Sequence, residues 1–299
     1  MISVLKTDDF LNEKAGDRTI RKILLSMGHS LIAGTENNIV IDPESSLMFS
    51  PAHFTWMDTN YPASTPRQGY CIEIQALWRA ALFFLADIDP GEKIWRKMFL
   101  KVDKSIHDYF IVKQGYLSDC LHADFGISAK NAMADDLLRP NQLLAITMGA
   151  IKDIKISRQI LSSCMELLIP GAIRSLADRR VDYRLEIRQN GHLLNDPVNP
   201  YTGKYFGDED TGRKPAYHNG TAWTWIFPSF CEAWYMVYGS GGRKTALAWL
   251  SSSSLNINQG CVGHVPEIAD GNFPHTPRGC DAQAWGVSEL LRVWKFVKG

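Results

Sequence analysis

Neither sign of charge is in excess: Lys and Arg together number 32, and so do Asp and Glu. Without a basic stripe or a charge block, nothing points to nucleic acid or to a membrane surface, and a neutral polymer or small molecule suits the balance better. No apolar run approaches the roughly 20 residues that span a bilayer. The opening Met1-Ile2-Ser3-Val4-Leu5-Lys6 lacks the layout of a secretory signal, so the chain is expected in the cytoplasm with no membrane partner. The six cysteines, at 71, 120, 164, 231, 261 and 280, include no CxxC pair, and they are expected as buried free thiols rather than as a disulfide framework or a zinc site. HExxH, a P-loop, GxGxxG after a strand and GxSxG are all missing, and the histidines lack metal-ligand spacing. Cys261-Val262-Gly263-His264 offers a thiol beside an imidazole, but nothing else in the chain supports a cysteine nucleophile.

What is present is helical periodicity. Ile74, Leu77, Trp78, Ala81, Leu82 and Leu85 recur at the spacing of one helix face. So do Ile160, Leu161, Cys164, Leu167 and Leu168, then Trp223, Ile226, Phe227, Phe230, Trp234 and Val237, and finally Val287, Leu290, Leu291, Trp294 and Val297. Weaker patterns predict helices near 18–32, 90–113, 141–152 and 243–254. Alternation of period two is scarce, with room for a short hairpin around Asn190-Gly191. The expected fold is therefore all-α. With 299 residues, 45% of them apolar, the chain is long enough for a sizeable core. No linker divides it, so one domain over 1–299 is expected, with 1–17 as a poorly packed start. Long loops cover roughly 44–70, 115–140, 178–218 and 256–282. They carry Trp, Tyr, His, Arg and Asp rather than disorder-promoting filler. Helix pairs with such loops gathered at one end suggest a toroid whose site lies at the loop end.

Four stretches carry chemistry. In FTWMDTNYPASTPRQGYCIEIQALW, Trp56 offers an apolar plane beside the carboxylate of Asp58, Arg67 a guanidinium, and Glu73 a carboxylate in a first helical turn. From local sequence Asp58 reads first as a loop or capping carboxylate, and Glu73 is equally readable as a simple helix stabiliser. In DDLLRPNQLLAI, Arg139 precedes Pro140, and Asn141 and Gln142 open an apolar helix, either as pocket groups or as ordinary caps. In AYHNGTAWTWIFPSF, His218, Trp223 and Trp225 crowd a helix start. An isolated histidine is more often structural, yet beside Tyr217 and Trp225 it is a candidate for a sugar hydroxyl. In GCVGHVPEIADGNFPHTPRGCDAQAWGVSELL, Glu267 sits in a Gly/Pro-rich loop ahead of Gln283 and Trp285, as a water-activating base or as a surface turn residue.

Together, TWMD, TPRQGYCIEIQALW, LRPNQLLAI, AYHNGTAWTW and GHVPEIADGNFPHTPRGCDAQAW resemble, in order across roughly 20–299, the C-terminal glucosidase domain of glycogen debranching enzymes, the amylo-α-1,6-glucosidase type. The resemblance implies an (α/α)6 toroid of six helix hairpins and inverting hydrolysis of an α-1,6-linked glucose from glycogen or branched α-glucan, with no metal or organic cofactor. It implies Asp58 as general acid and Glu267 as general base, with Trp56, Arg67, Glu73, Arg139, Asn141, Gln142, His218, Trp223, Trp225 and Trp285 lining the pocket. Eight or nine helices are legible where the family has twelve, so the expectation is an incomplete ring: a truncated gene product, a fragment, or one half of a split enzyme that a separate N-terminal chain would complete. A non-catalytic glucan-binding remnant, or a glucoamylase- or trehalase-like hydrolase, is the alternative on the same fold.

Overall fold

The computed structural model describes residues 8–59, 65–111 and 115–299, so parts of the expected N-terminal segment, of the 44–70 loop and of the helix expected to reach 113 lie outside the described residues. Nine α-helices occur among the described residues: α1 Asp8–Asn12, α2 Ile20–Ala33, α3 Ile72–Ile88, α4 Lys93–Tyr109, α5 Leu143–Thr147, α6 Ile154–Cys164, α7 Lys214–Tyr217, α8 Phe227–Ser252 and α9 Ala284–Lys298. Local chemistry fixes their starts. The Thr19 hydroxyl accepts from the Lys22 amide ahead of α2, and Asp153 accepts from the Lys155 and Ile156 amides ahead of α6. Gly239, at φ 57°, breaks α8 into two parts. None of these helices is long and apolar enough to cross a membrane.

The chain is helix-rich, but not purely helical. The long loops pair into short antiparallel strands of two or three residues, too short to leave an alternating pattern in the sequence. One sheet joins Gly69–Cys71, Cys120–His122 and Met133–Ala134, with Cys71 opposite Cys120. Another has the order Pro277–Arg278, Ile268–Ala269, Ala222–Trp223, Ala172–Arg174, Leu168–Ile169, with Trp223 opposite Ile268. The expected hairpin forms, pairing Arg188–Gln189 with His192–Leu193 across Asn190 (φ 47°) and Gly191 (φ 82°).

The sheets also account for where the helices depart from the periodicity. The third helical face was expected to begin at Trp223. That residue is instead held in a strand, and α8 starts at Phe227, where Pro228 suits a first turn. The expected helix at 141–152 is a 3-10 turn, Pro140–Gln142, running into the short α5. On α3 the buried stripe is rotated from the expected one. Ile72, Gln75, Ala76, Arg79 and Leu82 face inward, and Leu77 is 45% exposed, because polar groups of this helix are drawn into the interior.

The principal core runs from Leu11 to Val297, built on Trp78, Leu82 and Trp95 of α3 and α4 and on Phe227, Phe230 and Leu250 of α8. α3 packs on α4, and α8 packs on α9. On the far side of this second pair Val287, Leu290, Leu291 and Trp294 do not close the core as their spacing predicts. With Leu250 and Ile257 they line an open apolar groove of about 560 Å³.

Gly69 shows how tightly the first sheet is drawn. It has φ +127°, and a Cβ there would meet the Leu121 carbonyl and lie 2.8 Å from the Ala123 nitrogen. Replacing it with Ala is expected to destabilise the fold by more than about 2 kcal/mol, against about 1 kcal/mol for Gly16→Ala, where φ is +67° but no atom lies within 4 Å. Urea denaturation of both variants measures the contrast, and equal losses would refute it.

Candidate active site

The three-stranded sheet places Asp119 just before Cys120 and Arg67 just before the paired strand. Asp119 is the hub of a buried charge cluster. Its Oδ2 lies 2.7 Å from Arg67 Nε and 3.4 Å from Arg139 Nε, and its Oδ1 accepts from Asn141 Nδ2 at 2.7 Å. Arg67 also grips both oxygens of Glu73 at 2.7 Å and donates to Thr55 Oγ1 at 3.1 Å. Arg139 donates to the Ser175 carbonyl at 3.0 Å, to the His218 carbonyl, and to Asn219 Oδ1 at 2.7 Å. All four charged side chains are buried. Burial pushes the Asp119 carboxyl up to about 6, against the opposing pull of Arg67 and Arg139. Burial also works against the charge on Arg67, yet Asp119, Cys71 and Glu73 hold its guanidinium well above its ordinary value.

Above this cluster stands an aromatic wall. The Trp56 Nε1 donates to Asn141 Oδ1 at 2.9 Å, tying the wall to the charges beneath. The Trp56 ring meets His218, Trp223 and Trp225 edge-on, with centroids 5.4, 5.0 and 5.1 Å away. His218 stacks on Trp223, and Trp225 stacks on Trp285 at 4.8 Å. Trp225 and Trp285 are only half-buried, so their rings border open space. Aromatic planes of this kind hold the apolar faces of a sugar ring.

The five-stranded sheet delivers Glu267, one residue before Ile268, to the edge of this wall. The side chain is 7% exposed. Its Oε1 accepts from the Tyr217 hydroxyl and from Gln283 Nε2 at 2.6 Å, and its Oε2 accepts from the Cys280 amide at 2.8 Å. Gly279 makes room for it, since a Cβ there would collide with Oε2. The Trp285 Nε1 donates to Gln283 Oε1, so the amide that orients Glu267 is itself held by the wall. A carboxylate offers about four acceptor positions. Three are taken, which leaves one for a water or a ligand hydroxyl.

Asp58 is exposed and makes no hydrogen bond or ion pair among the described residues. It is close enough to Tyr217 for its charge to act on that phenol. Burial, the hydrogen bond to Glu267 and the Glu267 charge do most to raise the pKa of the Tyr217 phenol, and Asp58 adds to the same rise. Asp58 and Glu267 therefore both act on one phenol, from loops more than 200 positions apart.

The expected pocket residues thus divide. Trp56, His218, Trp223, Trp225 and Trp285 come together as one wall. Arg67, Glu73, Arg139 and Asn141 lie beneath it, with their polar atoms turned to one another and to Asp119. Gln142 stands apart. Its amide donates to the Arg139 carbonyl at 3.0 Å and accepts from the Leu117 nitrogen at 3.0 Å, bracing the turn. The sequence reading missed Asp119 altogether, because SDCLH carries no motif and its meaning lies only in the two arginines that converge on it.

His218 supplies a pH test. Its ring is buried, and burial together with the positive charges of Arg139 and Arg67 holds its protonation well below the ordinary imidazole value near 6.5. The unfolded chain takes up that proton as pH falls through 6.5, and the folded chain does not. The stability tied to the neutral ring is present above pH 6.5 and lost below it, with a limiting slope of about 1.4 kcal/mol per pH unit. Urea unfolding from pH 7.5 to 5.0 should therefore give a shallower decline for His218→Asn than for the parent chain. Parallel slopes would show that the ring is not held neutral.

Comparison with known proteins gives the family. The sequence profile of the family described as amylo-alpha-1,6-glucosidase matches residues 3–292. No curated protein matches the chain. Among solved structures, the chain is similar to a neutral trehalase from Saccharomyces cerevisiae, at 14% identity and a TM-score of 0.46, over 76% of this chain and 38% of that one. It is similar also to a mannosylglycerate hydrolase from Thermus thermophilus in complex with Tris and D-glycerate, at 12% identity and a TM-score of 0.46, over 76% of this chain and 46% of that one. The chain therefore spans less than half the length of either structure. With nearly its whole length matched by the profile, this chain belongs to the amylo-alpha-1,6-glucosidase family of glycoside hydrolases.

Proposed function

We propose that the chain removes α-1,6-linked glucose from glycogen or a branched α-glucan with inversion at the anomeric carbon, working in the cytoplasm within a ring of helix hairpins of the (α/α)6 type. Asp58 is the general acid and Glu267 the general base. The observation that carries this reading is the single acceptor position left on a buried Glu267, beside an aromatic wall and a tyrosine that also feels Asp58. Inverting hydrolysis needs one carboxylate fixed on a water and a second free to reach the glycosidic oxygen from the other side of the sugar. Glu267, held by three donors, suits the first task. Asp58, exposed and unpartnered among the described residues, suits the second. Trp56, Trp225 and Trp285 would hold the glucose ring. Arg67, Glu73, Asp119, Arg139 and Asn141 would hold the wall.

The assay is glucose release from a phosphorylase limit dextrin or a singly branched maltooligosaccharide. Asp58→Asn and Glu267→Gln should each lower kcat by about 10²–10⁴ with little change in KM. The glucose first released should be the β anomer by NMR. A folded protein that liberates no glucose, or an Asp58→Asn variant as active as its parent, would dismiss the catalytic reading. Glycogen binding that survives loss of both carboxylates would then mark a binding remnant.

Tyr217 is expected to act through Glu267. Tyr217→Phe should lower kcat by about tenfold while KM is nearly unchanged, and should shift the limb of the pH–rate profile set by the base. A change confined to KM would instead place the phenol against the substrate.

A further inference from the structure

Helix α9 starts on a residue type that makes a poor cap. Gln283 stands at its N-cap position with extended backbone, φ −122° and ψ 139°, and its side chain makes no hydrogen bond to the helix. Ser, Thr, Asp or Asn would serve better there. The amide is used elsewhere. Its Nε2 donates to Glu267 Oε1 at 2.6 Å, and its Oε1 accepts from the Trp285 Nε1. An indole N–H can only donate and a carboxylate can only accept, so the amide has a single orientation that satisfies both partners. Flipping it would set N–H against N–H and oxygen against oxygen.

The helix start is also held in place. Gly286 packs so closely that a Cβ there would lie 3.1 Å from Val265 Cγ2 and 3.2 Å from Thr224 Oγ1. Thr224 in turn donates to the Pro266 carbonyl at 2.7 Å, one residue before Glu267. The first turn of α9 and the segment that carries Glu267 are thus fixed to one another.

The donors divide unequally between the two oxygens of Glu267. Oε1 takes the Tyr217 hydroxyl and the Gln283 amide, which fills its two lone-pair positions. Oε2 takes the Cys280 amide, at 2.8 Å, and keeps one position open. The titratable groups around the carboxylate are accounted for. Tyr217 donates to it, and Asp58 acts on Tyr217. The Tyr205 phenol is raised first by burial, against Arg213, and then by the Glu267 charge. The Cys280 thiol donates to the Ala282 carbonyl at 3.2 Å, and Arg278 is held by Asp270 at 3.1 Å.

We propose that Gln283 is a positioning residue for the base, that the Trp285 N–H locks it, and that Oε2 is thereby the oxygen that takes a proton from the attacking water. This rests on the hydrolase reading and deepens it, since Trp285 becomes both a plane for the sugar and a support for the base. Oε2 receives one proton of the water while the water oxygen bonds to the anomeric carbon. The glycosidic bond breaks, its electron pair leaves on the glycosidic oxygen, and that oxygen takes the proton of Asp58.

The test uses two variants and their combination. Gln283→Met keeps the length of the side chain and removes both polar ends. It should lower kcat by about tenfold with KM nearly unchanged, and should move the acid limb of the pH–rate profile up by about half a pH unit or more, because a donor to the charged carboxylate is gone. Trp285→Phe keeps an aromatic plane and removes the N–H. It should move the same limb in the same direction, although that N–H bonds Gln283 and not Glu267. A residue that only stacks on the sugar would change KM and leave the limb in place. In the double variant the limb should stand where Gln283→Met alone puts it, since the effect of Trp285 passes through one amide. A limb unmoved in either single variant, or displaced further in the double one, would overturn the proposal. Should the folded parent chain release no glucose, the hydrolase reading fails by itself, and carbon-13 NMR titration of the glutamate carboxyls decides the relay. The Glu267 signal, assigned by its loss in Glu267→Gln, should then titrate at higher pH in both single variants than in the parent, and equal midpoints end the proposal. Where Gln283→Met does not fold, Trp285→Phe gives the same reading alone.

Discussion

The site depends on one buried carboxylate. Asp119 draws Arg67 and Arg139 together, and these two guanidiniums hold different partners. Arg67 goes to Glu73 on α3 and Thr55 on the Trp56 loop, while Arg139 goes to Ser175, His218 and Asn219. Segments from four distant parts of the sequence are thereby pinned to one point. Replacing such a cluster with apolar residues of similar volume often leaves stability unchanged or raises it, whereas removing a single member costs about 3–5 kcal/mol because its partner remains charged and dry. The cluster is best understood as fixing geometry. It sets Asn141 under Trp56, and Trp56 in turn sets the pitch of the wall.

How far the sequence revealed this follows from the length of each signal. α3, α4 and α6 were legible because several turns of apolar residues repeat with the helical period. The strands were not, because two or three residues cannot show alternation. They are nevertheless what brings Glu267 beside Trp223 and Asp119 beside Arg67. Leu77 and Leu291 were read inward from spacing alone and are 45% and 52% exposed. On α3 the buried polar residues Glu73, Gln75 and Arg79 displaced the apolar stripe, which spacing rules do not anticipate. Among site residues, those with unusual chemistry in or beside a loop stood out: Trp56, Glu267 and His218, and Trp285 in the first turn of α9. Asp119 did not. It is ordinary by type and acquires meaning only from the two arginines that surround it.

The two candidate carboxylates differ in a way that bears on their division of labour. A group that must hold a water in line with the anomeric carbon gains from being immobile, since small misplacements lengthen the attack distance. Glu267 has both oxygens anchored, one by a backbone amide that no side-chain substitution removes. A group that delivers a proton to the glycosidic oxygen and then leaves room for product gains from being able to move. Asp58 stands on the exposed side of a loop, one residue past the buried Met57. The loop is thus held at Trp56 and Met57 and released at Asp58. If the roles were exchanged, the anchored group would have to follow a departing oxygen, and the unanchored one would have to fix a water without donors to steady it. The hydrogen-bond pattern alone therefore favours Glu267 on the water side and Asp58 on the leaving-group side.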